Sequence, residues 1–177
     1  MSTLNVTNIK GEGGGTTAMT LDSAGRILTP ARPYFRVGMG TSQTGITNAN
    51  VVFDTVKDNV GGHYSTSNGR FTAPIAGVYQ FGHSILFQDV ATSDDGITVH
   101  YFKNGASDTT SWLFARADGQ DANGYSGSGG YLNNVGSGTF LLAVNDYVNL
   151  NVYASGPIGI HGNSNQSWSQ WYGYLIG

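Results

Sequence analysis

Between Gly77 and Phe87 the chain alternates with period two: Tyr79, Phe81, Ile85 and Phe87 share one parity, while Gln80, Gly82 and Ser84 hold the other. Successive side chains leave a strand on opposite faces, so such a stretch buries one face and wets the other, which a helical period does not allow. The pattern returns where Val148, Leu150 and Val152 alternate with Tyr147, Asn149, Asn151 and Tyr153. WYGYLI, Trp171 to Ile176, reads as a closing strand, and Tyr34 to Val37, Val51 to Val56, Ile97 to Phe102 and Thr139 to Val144 are further candidates. Gly, Asn, Asp and Ser turns separate them at sandwich-like spacing. The expected fold is therefore all-β, a jelly-roll sandwich of two antiparallel sheets. Composition agrees: 11% of residues are charged and 27 are glycine, against about 25% charged in an average soluble chain. Glu12 is the sole glutamate, so helix-favouring residues are scarce.

Residues 1–32 read differently from residues 33–177. In MTLDSAGRIL, from Met19, two short apolar stretches flank Asp22-Ser23-Ala24-Gly25, and Asp first with Gly fourth suits a type I turn. The expectation is an extended N-terminal segment carrying a short hairpin, linked through the flexible Gly11 to Gly15 stretch. An isolated hairpin is marginal in water, so this segment needs a partner surface. Pro30 and Pro33 disfavour helix and place the domain boundary there, with the jelly roll covering 33–177.

Several kinds of chemistry are not expected. A net charge of -3 from so few groups leaves no broad basic surface, which argues against nucleic acid as a partner. No run of eighteen apolar residues is present, so no membrane insertion is expected. Without cysteine there is no disulfide, thiolate-bound zinc or thiol catalysis. His63, His83, His100 and His161 are scattered outside any metal-ligand spacing, and His83, on the apolar parity of its strand, reads as a satisfied core or interface histidine. GYSGSGG, Gly124 to Gly130, falls short of a nucleophile elbow, and none of Lys10, Lys57 or Lys103 lies in a phosphate-binding loop. Asp94-Asp95 and Asp118 to Asn123 are the acidic loop clusters, and they read as solvated loops rather than a calcium site. The expectation is no catalytic residue, no metal and no cofactor.

NVVFDTVKDNVGGHYSTSNGRFTAPIAGVYQF, Asn50 to Phe81, resembles the signature of the complement component 1q globular-head family, related to the tumour necrosis factor fold. Phe53, Asn59, Gly69, Phe71, Pro74, Gly77, Tyr79 and Phe81 carry the match, followed by Lys103-Asn104-Gly105, Leu142, Asp146, Val148 and Gly173. The resemblance spans roughly Pro33 to Gly177 and implies a jelly roll that works as a homotrimer. Beside it, Asn104-Gly105 suits a type I′ hairpin turn. No collagen-like Gly-X-Y stalk precedes the domain, and Trp171-Tyr172 precedes Gly173 where phenylalanine is usual, which departs from the animal members.

STLNVTNIKGEGG followed by TTAMTLDSAGRILTPARP is similar to leading segments of phage structural and fibre-like proteins. The expected function is that of a non-enzymatic, trimeric virion protein on the exterior of a bacteriophage particle, as fibre, decoration or tail-associated protein. Residues 1–32 would join other virion proteins, and the jelly roll would meet host surface glycans by avidity. The alternative is a bacterial self-assembling structural or adhesive protein without host recognition. Loop aromatics offer faces for sugar rings, so Trp112, Tyr125, Tyr131 and Trp168 are the ligand-contact candidates. Tyrosine suits subunit contacts, so Tyr147, Tyr153, Tyr172 and Tyr174 are the trimer-interface candidates.

Overall fold

The computed structural model describes residues 6–11, 15, 17–90, 96–107, 114–117, 130–165 and 168–177, with backbone alone for 106–107 and 114–117. Among them only strands and turns occur. Three strands come first: β1 (Asn8–Lys10), β2 (Thr17–Leu21) and β3 (Ile27–Leu28). Then follow β4 (Tyr34–Gly38), β5 (Gln43–Asn50), β6 (Thr55–Val60), β7 (Tyr64–Ser65), β8 (Arg70–Thr72) and β9 (Gly77–Val90). The last six are β10 (Ile97–Lys103), β11 (Ala106–Ser107), β12 (Phe114–Ala117), β13 (Gly130–Leu142), β14 (Tyr147–Ile160) and β15 (Gln170–Leu175).

The hairpin expected around Asp22 joins β2 to β3, pairing Leu21 with Ile27. The Asp22 carboxylate accepts the N–H groups of Ala24 and Arg26, and Gly25 takes the positive φ that closes the turn. β1 adds an unforeseen third strand, with Ile9 opposite Met19. Among the described residues no ladder connects β1–β3 to the remaining strands.

From Tyr34 onward the chain forms the expected jelly roll of antiparallel strands. One sheet runs β6-β4-β15-β9-β13. In the other, β14 lies between β10 and the pair β5 and β8, with β12 beyond β10. Phe35, Tyr79, Phe81 and Trp171 from the first sheet and Phe71, Val99, Leu150 and Val152 from the second fill one continuous core. The sheets are not fully separate. Long β9 and β14 meet at their far ends, Gly159 opposite Gln88 and Ile160 opposite Phe87, closing one seam of a near-barrel. A side chain at Gly159 would collide with Gln88, so the seam needs glycine there.

Val51 to Val56, expected as one strand, is instead the crossover between β5 and β6, and only Thr55 and Val56 are in a strand. Its alternation is nonetheless real burial: Val51 and Phe53 plug the core, and Asp54 accepts the N–H groups of Gly40 and Thr41. The stretch expected at Thr139 to Val144 ends at Leu142 and reaches back to Gly130. Asn104 and Gly105 both have positive φ, as a type I′ turn demands, and link Lys103 to Ala106.

His83 is buried and bonded at both nitrogens, to Tyr101 Oη at 2.7 Å and Asn134 Oδ1 at 2.9 Å. An amide oxygen only accepts, so Nε2 carries the proton and a neutral ring is satisfied. Burial holds the imidazole pKa below its usual value. Phe35 sits at the centre of the aromatic core, 5.0 Å from Phe71 and 4.7 Å from Trp171 between ring centroids. Gly173 lies beneath, where a Cβ would overlap the Phe81 and Phe35 rings.

Two outcomes follow. Gly173→Ala should lose about 1–3 kcal/mol in urea denaturation, the usual cost of overpacking a core; an unchanged midpoint would mean the rings shift freely. Because its folded-state pKa is depressed, the stability His83 contributes is present above the unfolded pKa near 6.5 and lost as pH falls below it. Melting temperature should therefore fall from pH 8 to pH 5, and more steeply in the wild type than in His83→Gln. Equal slopes would show that the buried ring does not titrate.

Candidate functional site

The two ends of the sandwich differ. At one end the chain enters and leaves: Leu175 N–H donates to Pro33 O, and Val78 N–H to Gly177 O. β9 then runs from Val78 to Gln88, ten residues or roughly 33 Å at about 3.3 Å each, to the opposite end. There the C-terminal ends of β9 and β14 meet the start of β13, with Trp168 just ahead of β15.

Tyr131, His161 and Trp168 form an aromatic cluster at that free end. The Tyr131 ring meets the imidazole edge-on at 5.6 Å and the Trp168 ring lies tilted over it at 4.9 Å. Both outer rings stay open, Tyr131 at 51% and Trp168 at 44% exposure. The imidazole is positioned from behind. His161 Nδ1–H donates to Gln88 Oε1 at 2.7 Å, and Gln88 Nε2–H donates to Asp89 Oδ2 at 3.1 Å. The Ser42 hydroxyl donates to the same Gln88 oxygen while accepting Gly162 N–H. Asp89 adopts a left-handed φ of 60°, uncommon for a side-chain-bearing residue and enriched at functional positions.

This arrangement offers aromatic faces, an imidazole fixed with Nε2 as acceptor, and carboxamide and carboxylate groups behind it. No cluster of three metal-ligating side chains occurs among the described residues. Of the sequence candidates, Tyr131 and Trp168 come together here, whereas Trp112 and Tyr125 lie outside the described residues, as do Asp94-Asp95 and Asp118 to Asn123. His161 and Gln88 were not singled out by the sequence as contact residues. They are 73 positions apart, and only the β9–β14 seam joins them.

The four interface tyrosines divide between two sheets. Tyr172 and Tyr174 lie on β15, on the outer face of the β6-β4-β15-β9-β13 sheet, where Tyr172 covers Gly82. Tyr147 and Tyr153 lie on β14 in the opposing sheet; Arg70 sits 4.1 Å over the Tyr147 ring, and Tyr153 is exposed beside His100. Outward faces of two packed sheets point away from each other, so these pairs belong to opposite sides of the sandwich. The Tyr172 side is the more apolar: Val60, Val78, Val135, Leu141, Tyr172 and Tyr174 are all exposed there, and Arg36 and Asp58 neutralise one another at 3.0 Å.

The sequence profile of the C1q domain matches residues 34–176. Among solved structures, the globular domain of zebrafish complement 1qA protein aligns with 82% of this chain and 98% of its own at 15% identity, TM-score 0.60. Murine APRIL aligns with 82% of this chain and 99% of its own at 12% identity, TM-score 0.56. Eiger TNF from S. frugiperda aligns with 83% of this chain and 94% of its own at 12% identity, TM-score 0.58. At these identities the likeness establishes the fold. No curated protein sequence matches significantly.

The strained backbone at Asp89 gives a test of whether this end is organised for stability. Asp89→Gly removes a left-handed conformation that costs on the order of 1 kcal/mol, so thermal denaturation should show an unchanged or higher melting temperature. A clear fall would mean the carboxylate contact to Gln88 outweighs that strain.

Proposed function

This chain belongs to the C1q domain family, and we propose that it is a non-enzymatic, homotrimeric structural protein of a bacteriophage virion whose jelly roll projects outward to attach to a surface. The observation that carries the reading is the polarity of the sandwich. Residues 1–32 enter at Pro33, beside the C-terminus, while Tyr131, His161 and Trp168 sit at the other end of β9. A segment joined to the particle therefore leaves the aromatic cluster facing outward. The likeness of residues 1–32 to phage leading segments supports the particle, and the absence of enzyme motifs in the sequence supports a binding role.

Trimerisation proceeds through the Tyr172 face. A sheet face that exposes several large apolar side chains and few charges marks an interaction site. A second and third copy of this chain cover it, as the family membership supports, and the charge-poor composition places no repulsion there. Host surface glycans are the proposed ligands of the free end. Open aromatic faces stack on sugar rings, and a fixed acceptor and carboxamides bond hydroxyls. Single-site contacts are weak, and three heads per trimer multiply them through effective concentration.

Immunogold electron microscopy with antibody to the chain tests the location: label on the outside of purified phage particles is expected, and label on the envelope of uninfected bacteria would establish the adhesive-protein alternative instead. Tyr172→Asp with Tyr174→Asp should yield monomer in sedimentation equilibrium, because unpaired carboxylates are strongly disfavoured at a buried interface. Tyr153→Asp should remain trimeric. A trimer that survives the double substitution, or dissociates on Tyr153→Asp alone, would move the interface to the other sheet.

A further inference from the structure

The opposite sheet carries a feature that the attachment reading leaves unused. On its outer face the ladders set short and long side chains in rows: Phe102 opposite Asn149, His100 opposite Asn151, and Thr98 opposite Tyr153. Across β5, Asn50 faces Asn151 and Asn48 faces Tyr153. Asn149 and Asn151 are buried and both donate to Asn50 Oδ1, at 3.0 Å and 3.3 Å, which fixes a low carboxamide floor. Taller rings rise around it. The result is an open hollow of about 330 Å³ lined by Asn48, His100, Phe102 and Tyr153. That lies at the lower end of the roughly 300–1,000 Å³ of small-molecule sites.

The lining chemistry narrows the occupant. The imidazole stands between the other two rings, with centroids 6.3 Å from Phe102 and 6.2 Å from Tyr153. Asn48 is an exposed carboxamide, both donor and acceptor, and neither it nor the Tyr153 hydroxyl has a hydrogen bond among the described residues. Among the described residues no charged side chain lines the hollow, and Arg70, on the same face, is drawn over the Tyr147 ring. A charged ligand would lose its hydration there without gaining a counter-charge. Vicinal hydroxyls donate and accept at once, as a carboxamide does, and the C–H face of a sugar ring is apolar like the aromatic walls. We infer that this hollow is a lateral binding site for a single neutral pyranose ring, held by Asn48, Phe102 and Tyr153 and separate from the aromatic cluster at the free end.

The test uses the full-length chain and saturation-transfer difference NMR with the methyl glycosides of glucose, galactose, mannose and N-acetylglucosamine, each at tens of millimolar. At least one should take up saturation. Asn48→Ala and Tyr153→Ala alter exposed side chains, and each should weaken that binding at least tenfold, whereas Lys57→Ala, exposed on β6 of the other sheet, should leave it unchanged. Loss of binding in Trp168→Ala with retention in Tyr153→Ala would place the sugar at the free end and overturn the lateral site while sparing the attachment reading. No saturation with any of the four sugars, or binding of sialyllactose alone, would also overturn it.

Discussion

The arrangement of Phe35, Phe81 and Trp171 around Gly173 is the contact on which the rest of the molecule depends. Three neighbouring strands, β4, β15 and β9, bring these residues into one layer, and the missing side chain at Gly173 lets Phe35 and Phe81 close over the backbone of β15. Interiors pack at crystal-like density, so the two rings fill the space directly against the β15 backbone. Phe71 and Tyr64 pack against Phe35 and tie in the second sheet. Asn59 supports the same region by bonding both the N–H and the C=O of Tyr64.

Once that layer is fixed, the length of β9 and β14 determines what happens at the far end. Each runs 14 residues, long enough to reach the far end of the core and pair at Gly159 and Ile160. This seam draws Gln88 against His161, and Tyr131 and Trp168 each contact the imidazole. The cluster is thus held by strand ends, which position side chains more firmly than a free loop does. Its backing network of Asp89, Gln88 and Ser42 includes a left-handed backbone at Asp89.

The two outward faces of the sandwich have become chemically distinct. The Tyr172 face exposes Val60, Val78, Val135, Leu141, Tyr172 and Tyr174, which suits copies of the chain. The Tyr153 face alternates rings with carboxamides over a sunken floor, which suits a small polar ring. The same alternation rule generates both faces, and the residue types on the outward parity make them different. The division of the tyrosines follows from this: pattern alone groups Tyr147, Tyr153, Tyr172 and Tyr174, and only sheet membership separates β14 from β15.

By itself the sequence determined the fold class, because parity within a strand is local: Tyr79, Phe81, Ile85 and Phe87, or Val148, Leu150 and Val152, declare a buried face without reference to any partner. It also determined the turns at Asp22 to Gly25 and at Asn104-Gly105, where a preference for φ or a carboxylate cap acts within four residues. His83 was legible as a satisfied core residue because it shares the apolar parity of its strand, although neither Asn134 nor Tyr101 is adjacent to it in sequence. Val51 to Val56 was legible as a strand candidate but not as a crossover, since strand pairing requires a neighbour with free hydrogen-bonding groups. The tertiary structure alone decided which aromatic residues meet, on which side each tyrosine falls, and that Gln88 orients His161. These depend on ladder pairings between residues tens of positions apart, and the free energy that selects such pairings comes from the shared core rather than from the residues they bring together.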